Sequence, residues 1–374
     1  MVGFALPLYA LTLGMSLTEI GALYAVRIAA TIAAKPAMAW VSDRAGHKRT
    51  LVAAAALRSL VGLLFVFATE PWHLYAIRIV HGVMTAAREP SAAALIAERS
   101  ARGRLGMSFA SYSTARDLGR SAGYAAAGFL IDLTAGYHAV FLVGFATSLV
   151  GLAVIARYVT APAPIDRVVP GTPVRLAAYR ALLPQVAFGL QVATGAEMVA
   201  GLYPVLARDY AHLSAGEAGI AAGASALAVL VAGPAFGWIA DRSGHQFVLA
   251  SRSFANVLAS ILYAAVPTFA GFTAARVVDD AGKAAFRPAW GSLLADAAEG
   301  DPAHRARVMT FIDSSYNVGE ALGPLIAGAL IGVVGIPGML AVRAGLALTA
   351  ELQLIHRNRF SRRARAVAPA EPFT

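Results

Sequence analysis

Residues 276 to 287 place Arg276, Asp279, Asp280, Lys283 and Arg287 inside an otherwise apolar stretch. On a helix, partners four apart (276 and 280, 279 and 283, 283 and 287) stack along neighbouring faces. Charges so placed either neutralise each other as internal ion pairs, Arg276 with Asp280 and Asp279 with Lys283, or are presented to a solute and a proton. Other apolar stretches carry Arg78, His81, Arg88 and Glu89; Arg116, Asp117 and Arg120; Asp313, Asn317 and Glu320; and Gln185, Gln191, Thr194, Glu197 and Tyr203. This is binding and proton chemistry rather than covalent catalysis. The chain has no cysteine, and no nucleophile with a base, phosphate loop or metal-ligand spacing is visible, so neither an enzyme nor a cofactor or metal is expected.

The elements that position these residues must be membrane helices. With 374 residues, 58% hydrophobic and 14% charged, the chain is too apolar for water, and a lipid bilayer must serve as its solvent. A hydrocarbon core takes about 20 apolar residues per helix. That rule predicts spans at 17–41, 50–68, 72–97, 106–131, 137–157, 180–207, 216–240, 247–266, 269–296, 307–332 and 337–356. Ahead of these eleven full helices, Met1 to Leu13 reaches only about 20 Å at 1.5 Å per residue, against a core of about 30 Å. The second-half equivalent, Arg180 to Arg208, is far longer. The sequence therefore suggests a first helix cut by a start codon placed too far downstream, with a true half-helix as the rival reading.

Basic residues orient the chain. One side carries Arg44, Lys48 and Arg49; Arg99, Arg102 and Arg104; Arg157, Arg167, Arg175 and Arg180; Arg242; Arg305 and Arg307; and the arginines from 357 to 365. The other carries Arg208. The positive-inside rule makes the first side, with the C-terminus, cytoplasmic. The net charge of +10 is thus a topology signal and not a nucleic-acid footprint. The domains read as an N-terminal bundle over 1–158, a proline-rich cytoplasmic linker over 159–178, a C-terminal bundle over 179–357 and a basic tail over 358–374.

The two bundles are copies. An offset of 198 residues carries Asp43, Arg44, Gly46 and His47 onto Asp241, Arg242, Gly244 and His245, and Ser16, Glu19 and Gly21 onto Ser214, Glu217 and Gly219. Arg78, Pro90 and Glu98 fall on Arg276, Pro288 and Asp296. Repeats of this kind in membrane proteins place substrate between two bundles.

At its WVSDRAGHKR and WIADRSGHQ loops the chain resembles the major facilitator superfamily, whose signature G-x-x-x-D-R-x-G-R-K joins the second and third helices. Ala39 stands for the first glycine, and His47 and His245 for an arginine. A family R-x-x-x-G appears as Arg78 and Gly82. The fifth helix keeps Gly119, Gly123 and Gly128 with Tyr124 in the proline position, and the eleventh keeps Gly319, Gly323, Pro324 and Gly328. The resemblance implies an all-α integral membrane protein with two pseudo-symmetric six-helix bundles. It also implies alternating-access transport of a small organic solute, proton-linked, with export favoured over uptake, by a monomer in a bacterial inner membrane.

In that reading Asp43 and Asp241 face the N-termini of the eleventh and fifth helices. Arg44 pairs with Glu98 and Arg242 with Asp296, and Gly46, Lys48 and Gly244 complete the cytoplasmic gate. Arg78, His81, Glu89, Arg116, Asp117, Glu197, Asp279, Asp280, Lys283, Arg287, Asp313 and Asn317 are the candidates for solute or proton, Glu89 and Asp280 foremost for the proton. His81 is expected to be a packed polar group rather than a relay. Basic and acidic groups balance over these helices, so their sum leaves the substrate's charge open. A transport-inactive receptor or scaffold and an uncoupled facilitator are the alternatives.

Overall fold

The computed structural model describes residues 1–100, 105–160, 180, 182–243, 245–297 and 305–367. Among them the chain is helical, with no strand. The first half holds α1 (Val2–Thr12), α2 (Leu17–Ala45), α3 (His47–Leu64), α4 (Pro71–Arg99), α5 (Leu105–Thr134) and α6 (His138–Tyr158). The second holds α7 in two pieces, Leu183–Ala200 and Tyr203–Asp209, then α8 (Ala215–Ser243), α9 (His245–Ala265) and α10 (Phe269–Ala297). A last helical run, Arg305–Val367, breaks at Gly335 (φ 71°), giving α11 (305–334) and α12 (336–367).

Two expectations need correction. The seventh helix is not continuous but bends by 44° between its pieces. Pro204 lacks the N–H that an unbroken helix would use, and Gly201 lies against Pro324 of α11. The last helix runs to Val367 instead of ending near 356, because no glycine or proline interrupts it before Pro369. The proline-rich linker lies almost wholly outside the described residues.

The bilayer explains which surfaces stay apolar. Among the described residues, five helical segments are long and apolar enough to cross a membrane, or six if the bent α7 counts as one span. Three other helices, α4, α5 and α10, are as long but carry the charged residues singled out above. Large apolar side chains point outward, Val231 72% and Phe254 70% exposed, which is favourable toward lipid and costly toward water.

The repeat has a local physical cause. Ser16 Oγ accepts from the backbone N–H of Glu19 while the Glu19 carboxylate accepts from Ser16 N at 2.8 Å, a capping box that starts α2. Ser214 and Glu217 do the same for α8, at 2.9 and 3.1 Å. One turn on, each copy has a glycine at a contact between the bundles. A Cβ on Gly21 would meet Pro324 and Leu325 of α11, and one on Gly219 would come within 2.9 Å of the Tyr124 carbonyl of α5. Gly328 lies against Leu17, and Gly128 against Ala215, so both α2–α11 and α5–α8 pass backbone to backbone. Asp132, at the end of α5, also accepts from the N–H groups of Ala215 and Gly216 at 3.1 and 2.8 Å, where the free donors of the α8 N-terminus favour a carboxylate.

Packing is divided unevenly. A single buried cluster crosses both bundles on the side away from the basic loops, with Phe4, Leu6, Ile20, Phe141, Leu206 and Phe272 all fully buried. Toward the basic side the core splits in two. Phe188, Phe286, Trp290, Val308 and Ile312 belong to the C-terminal bundle, and Ala54, Met84 and Ala87 to the N-terminal one. The halves are joined at one end and part at the other. Filling a crossing should undo the joined end: overpacking costs about 1–3 kcal/mol, so Gly128→Leu is expected to lower transport at least about tenfold at matched expression. A wild-type rate in that variant would show that α5 and α8 need no such approach.

Candidate functional site

Where the cores part, a cavity of about 2380 Å³ opens between the bundles. Its rim includes Leu51, Arg99, Ser100, Val159 and Met309, so the mouth is on the side of the basic loops. Lining residues come from Met1 and α1 to α6 on one wall and from α10 and α11 on the other. The space is reached from one side of the membrane and sealed on the other by the glycine crossings and the shared apolar cluster.

Of the sequence candidates, His81, Glu89, Arg116, Asp117, Asp313 and Asn317 line this cavity. Glu89 lies 3.7 Å from Lys35 and 3.9 Å from Arg88. Asp117 is 3.4 Å from both Arg116 and Arg120. On the opposite wall Trp290 Nε1 donates to Asp313 at 3.1 Å, and Asn317 donates to the Asp313 carbonyl at 3.2 Å. Phe286 stacks on Trp290 (5.6 Å between centroids) and on Tyr316 (5.9 Å), which makes that wall an aromatic face.

Sequence reasoning missed three cavity residues, Arg27 and Lys35 of α2 and Arg58 of α3. The signal existed, since a cation inside an apolar span marks a cavity or a partner and 27, 31 and 35 share a helix face. Their addition changes the charge of the site. Among the described residues the lining holds seven basic side chains and four carboxylates, so the balance expected from helices four, five, seven, ten and eleven does not describe the cavity wall.

Arg78, Glu197, Asp279, Asp280 and Lys283 lie between helices and not on this wall. Asp279 is fully buried and was expected to pair with Lys283. It instead accepts from Arg252 Nη1 of α9 and Arg343 Nη2 of α12, each at 2.8 Å. Arg343 also donates to Asn256 Oδ1 at 2.6 Å, Ser260 Oγ at 3.0 Å and the Gly195 carbonyl at 2.7 Å, tying α7, α9, α10 and α12 together. A carboxylate between two guanidinium groups gains more than it would from one lysine amine, and this decides the pairing. The expected Arg276–Asp280 pair is present at 2.9 Å. Lys283 turns to Glu197 (3.7 Å) and Asp280 (3.8 Å). Arg78 is buried, donates to the Leu23 carbonyl at 3.1 Å and covers Tyr24, as its repeat equivalent Arg276 covers Tyr203.

The cytoplasmic gate also differs from expectation. Arg44 lies over the Trp40 ring, 4.1 Å from its centroid, and does not meet Glu98. Gly46, at φ 91°, turns the chain so that His47 opens α3 facing α4. His47 then reaches Glu98 through Nε2 at 3.4 Å and Ser42 through Nδ1 at 2.8 Å, and Ser42 meets Ser91 at 2.9 Å. The histidine in the signature's arginine position thus takes the role assigned to Arg44, sewing α2, α3 and α4 into one unit. Lys48 follows it in α3, and Asp296 lies exposed near the end of α10. The side chains of Asp43, Asp241, Arg242 and Arg287, and Gly244 itself, lie outside the described residues.

Two pseudo-symmetric helix bundles around a one-sided cavity that carries charged side chains define a membrane transporter of small solutes. The chain belongs to the Major Facilitator Superfamily, whose model matches residues 1–193 and 186–371. It is 28% identical over 357 residues to the multidrug resistance protein MdtG of Serratia proteamaculans, covering 91% of this chain and 85% of that protein. To MdtG of Escherichia coli K12 it is 25% identical over 363 residues, with 92% and 86% covered. A mutant form of the nucleoside transporter NupG superposes with a TM-score of 0.75 at 15% identity, over 95% of each chain. A bacterial homologue of the lysosomal transporter Spinster, inward-facing and occupied, gives 0.74 at 13% identity, over 96% of this chain and 92% of that one.

The two kinds of carboxylate should respond differently to mutation. Removing one partner of a buried ion network costs about 3–5 kcal/mol, so Asp279→Asn is expected to lower the thermal midpoint by several degrees in a detergent melting assay. Asp313→Asn, on the exposed cavity wall, should leave the midpoint near wild type. Equal midpoints for the two would contradict the assignment of Asp279 to the framework.

Proposed function

We propose that this chain is a proton-linked exporter of small organic solutes that works by alternating access, as a monomer, in the bacterial inner membrane. The observation that carries this reading is the cavity between the bundles, sealed at the glycine crossings and open toward the basic loops. That is the geometry of a transporter waiting for solute from the cytoplasmic side. The positive-inside rule supports that sidedness and a cytoplasmic C-terminus. The relatives' designation as multidrug resistance proteins supports export.

On this reading the bundles over 1–158 and 179–357 rock against each other about the 159–178 linker. Arg44 leaves Trp40, and Asp43 and Asp241 approach the N-termini of α11 and α5, where a carboxylate is favoured by about 0.3–1 kcal/mol. Arg242, Gly244 and Asp296 form the weaker second copy of the gate.

Glu89 is the first choice for the proton. It lies on the cavity wall with 47% of its side chain exposed, between Lys35 and Arg88, so water and proton reach it from the mouth. Asp280, the other initial choice, is enclosed between Arg276 and Lys283 in this conformation and serves less well. Glu89→Gln keeps the shape and removes the titrating group. In proteoliposomes with an imposed pH gradient, this variant should exchange a tracer solute at near the wild-type rate and lose gradient-driven accumulation. Full accumulation by the variant would exclude Glu89 and transfer the role to Asp117, Glu197 or Asp313.

A further inference from the structure

The cavity wall formed by the N-terminal bundle carries cations that no carboxylate neutralises. Arg27 of α2, Arg58 of α3 and Arg88 of α4 line it together with His81, and Arg78 Nη1 lies 3.5 Å from His81 Nδ1. Of these, Arg88 shares Glu89 with Lys35, and Arg78 is turned to the Leu23 carbonyl. Arg27 and Arg58 line the cavity and make no ion pair or hydrogen bond with a carboxylate among the described residues. Of the four carboxylates that line the space, Glu89 is held by Lys35 and Arg88, Asp117 by Arg116 and Arg120, and Asp313 by Trp290, and Glu320 makes no ion pair with Arg27 or Arg58.

A guanidinium inside a membrane protein is costly unless it meets water or an anion, and like charges gathered around one imidazole raise that cost. An anionic ligand reverses the balance, because a guanidinium binds carboxylate, sulfonate or phosphate oxygens through paired N–H donors. Across the cavity Phe286, Trp290 and Tyr316 form an aromatic face that suits a flat apolar body, with the neighbouring Asp313 carboxylate engaged by Trp290 Nε1. Small-molecule pockets are usually about 300–1,000 Å³. A space of about 2380 Å³ therefore has room for a bulky solute touching both walls.

We propose that the cavity selects amphipathic organic anions, with the acidic head at Arg27 and Arg58 and an aromatic or other planar apolar body against Phe286, Trp290 and Tyr316. The proposal rests on the transport reading and adds to it the charge and shape of the solute. The anion enters from the cytoplasmic side and replaces water at the two arginines. The head group does not engage Glu89, so head-group binding and proton binding use separate side chains.

The test measures binding apart from flux. Naphthalene-2-sulfonate, neutral 2-naphthol and the cation 2-naphthylmethylammonium share one ring system and differ in charge. Titrated into the full-length protein in lipid nanodiscs, the sulfonate is expected to bind at least tenfold more tightly than either of the others. Arg27→Gln and Arg58→Gln should each weaken sulfonate binding about tenfold or more and leave 2-naphthol unchanged, with Arg58→Lys recovering part of the loss. Trp290→Ala should weaken all three probes. Equal or tighter binding of the cation, absence of sulfonate binding, or indifference to both arginine substitutions would each overturn the proposal. Proteoliposome flux separates the two levels: a protein that moves the cation and ignores the sulfonate fails on solute charge alone, whereas one that binds the sulfonate and moves nothing fails the transport reading.

Discussion

Hydrocarbon cannot solvate a charge, and this constraint divides the charged side chains of the chain into two populations. Some are closed into ion-paired networks between helices. Asp279 with Arg252 and Arg343 is the most enclosed, all three with side chains at most 1% exposed. The others stand on the wall of a cavity that water enters, where Glu89, Asp313 and Arg58 need no complete protein partner. A helix can therefore be part of the framework along one face and part of the site along another. On α10, Asp279 belongs to the first role and Trp290 to the second.

The same solvent shapes the movement available to the bundles. Lipid gives little drive for apolar helices to separate or join, so close backbone approach and buried polar contacts decide where they hold. Gly21, Gly128, Gly219 and Gly328 supply that approach, and Asp132 on the α8 N-terminus adds a polar clasp. All lie on the side away from the basic loops, where one apolar cluster spans both halves. On the basic side the clusters are separate, and the opening follows from that division. Within the N-terminal bundle, His47, Ser42, Ser91 and Glu98 keep α2, α3 and α4 together, so the bundle can tilt as a unit.

Most of the architecture was legible in the sequence because a bilayer enforces length and apolarity on every span. The repeat of Ser16, Glu19 and Gly21 in Ser214, Glu217 and Gly219 was legible as an internal copy, and the fold gives its reason: capping boxes and backbone crossings at both places. The bend in α7 was less legible, since a glycine or proline in a membrane helix breaks it only where a neighbour presses on it, as Pro324 does on Gly201. Pairing partners were legible only within a helix. Arg276 with Asp280 follows from spacing, but Arg252 and Arg343 reach Asp279 from other helices, and no spacing rule connects α9 or α12 to α10. Arg27 and Arg58 escaped for a different reason: they lie in different spans, α2 and α3, and only the fold brings both to the cavity wall.

The account stands or falls on whether the two ends of the cavity open in alternation. The chain has no native cysteine, so spin labels can be attached at introduced cysteines without first removing any. One pair, at Arg99 and Asp296, spans the bundles at the basic side, and another, at Leu133 and His212, spans them at the opposite side. Double electron–electron resonance in nanodiscs should give two populations for each pair, and conditions that shorten the 99–296 distance should lengthen the 133–212 distance. Distances that stay fixed at both ends, or that lengthen together, would contradict the account.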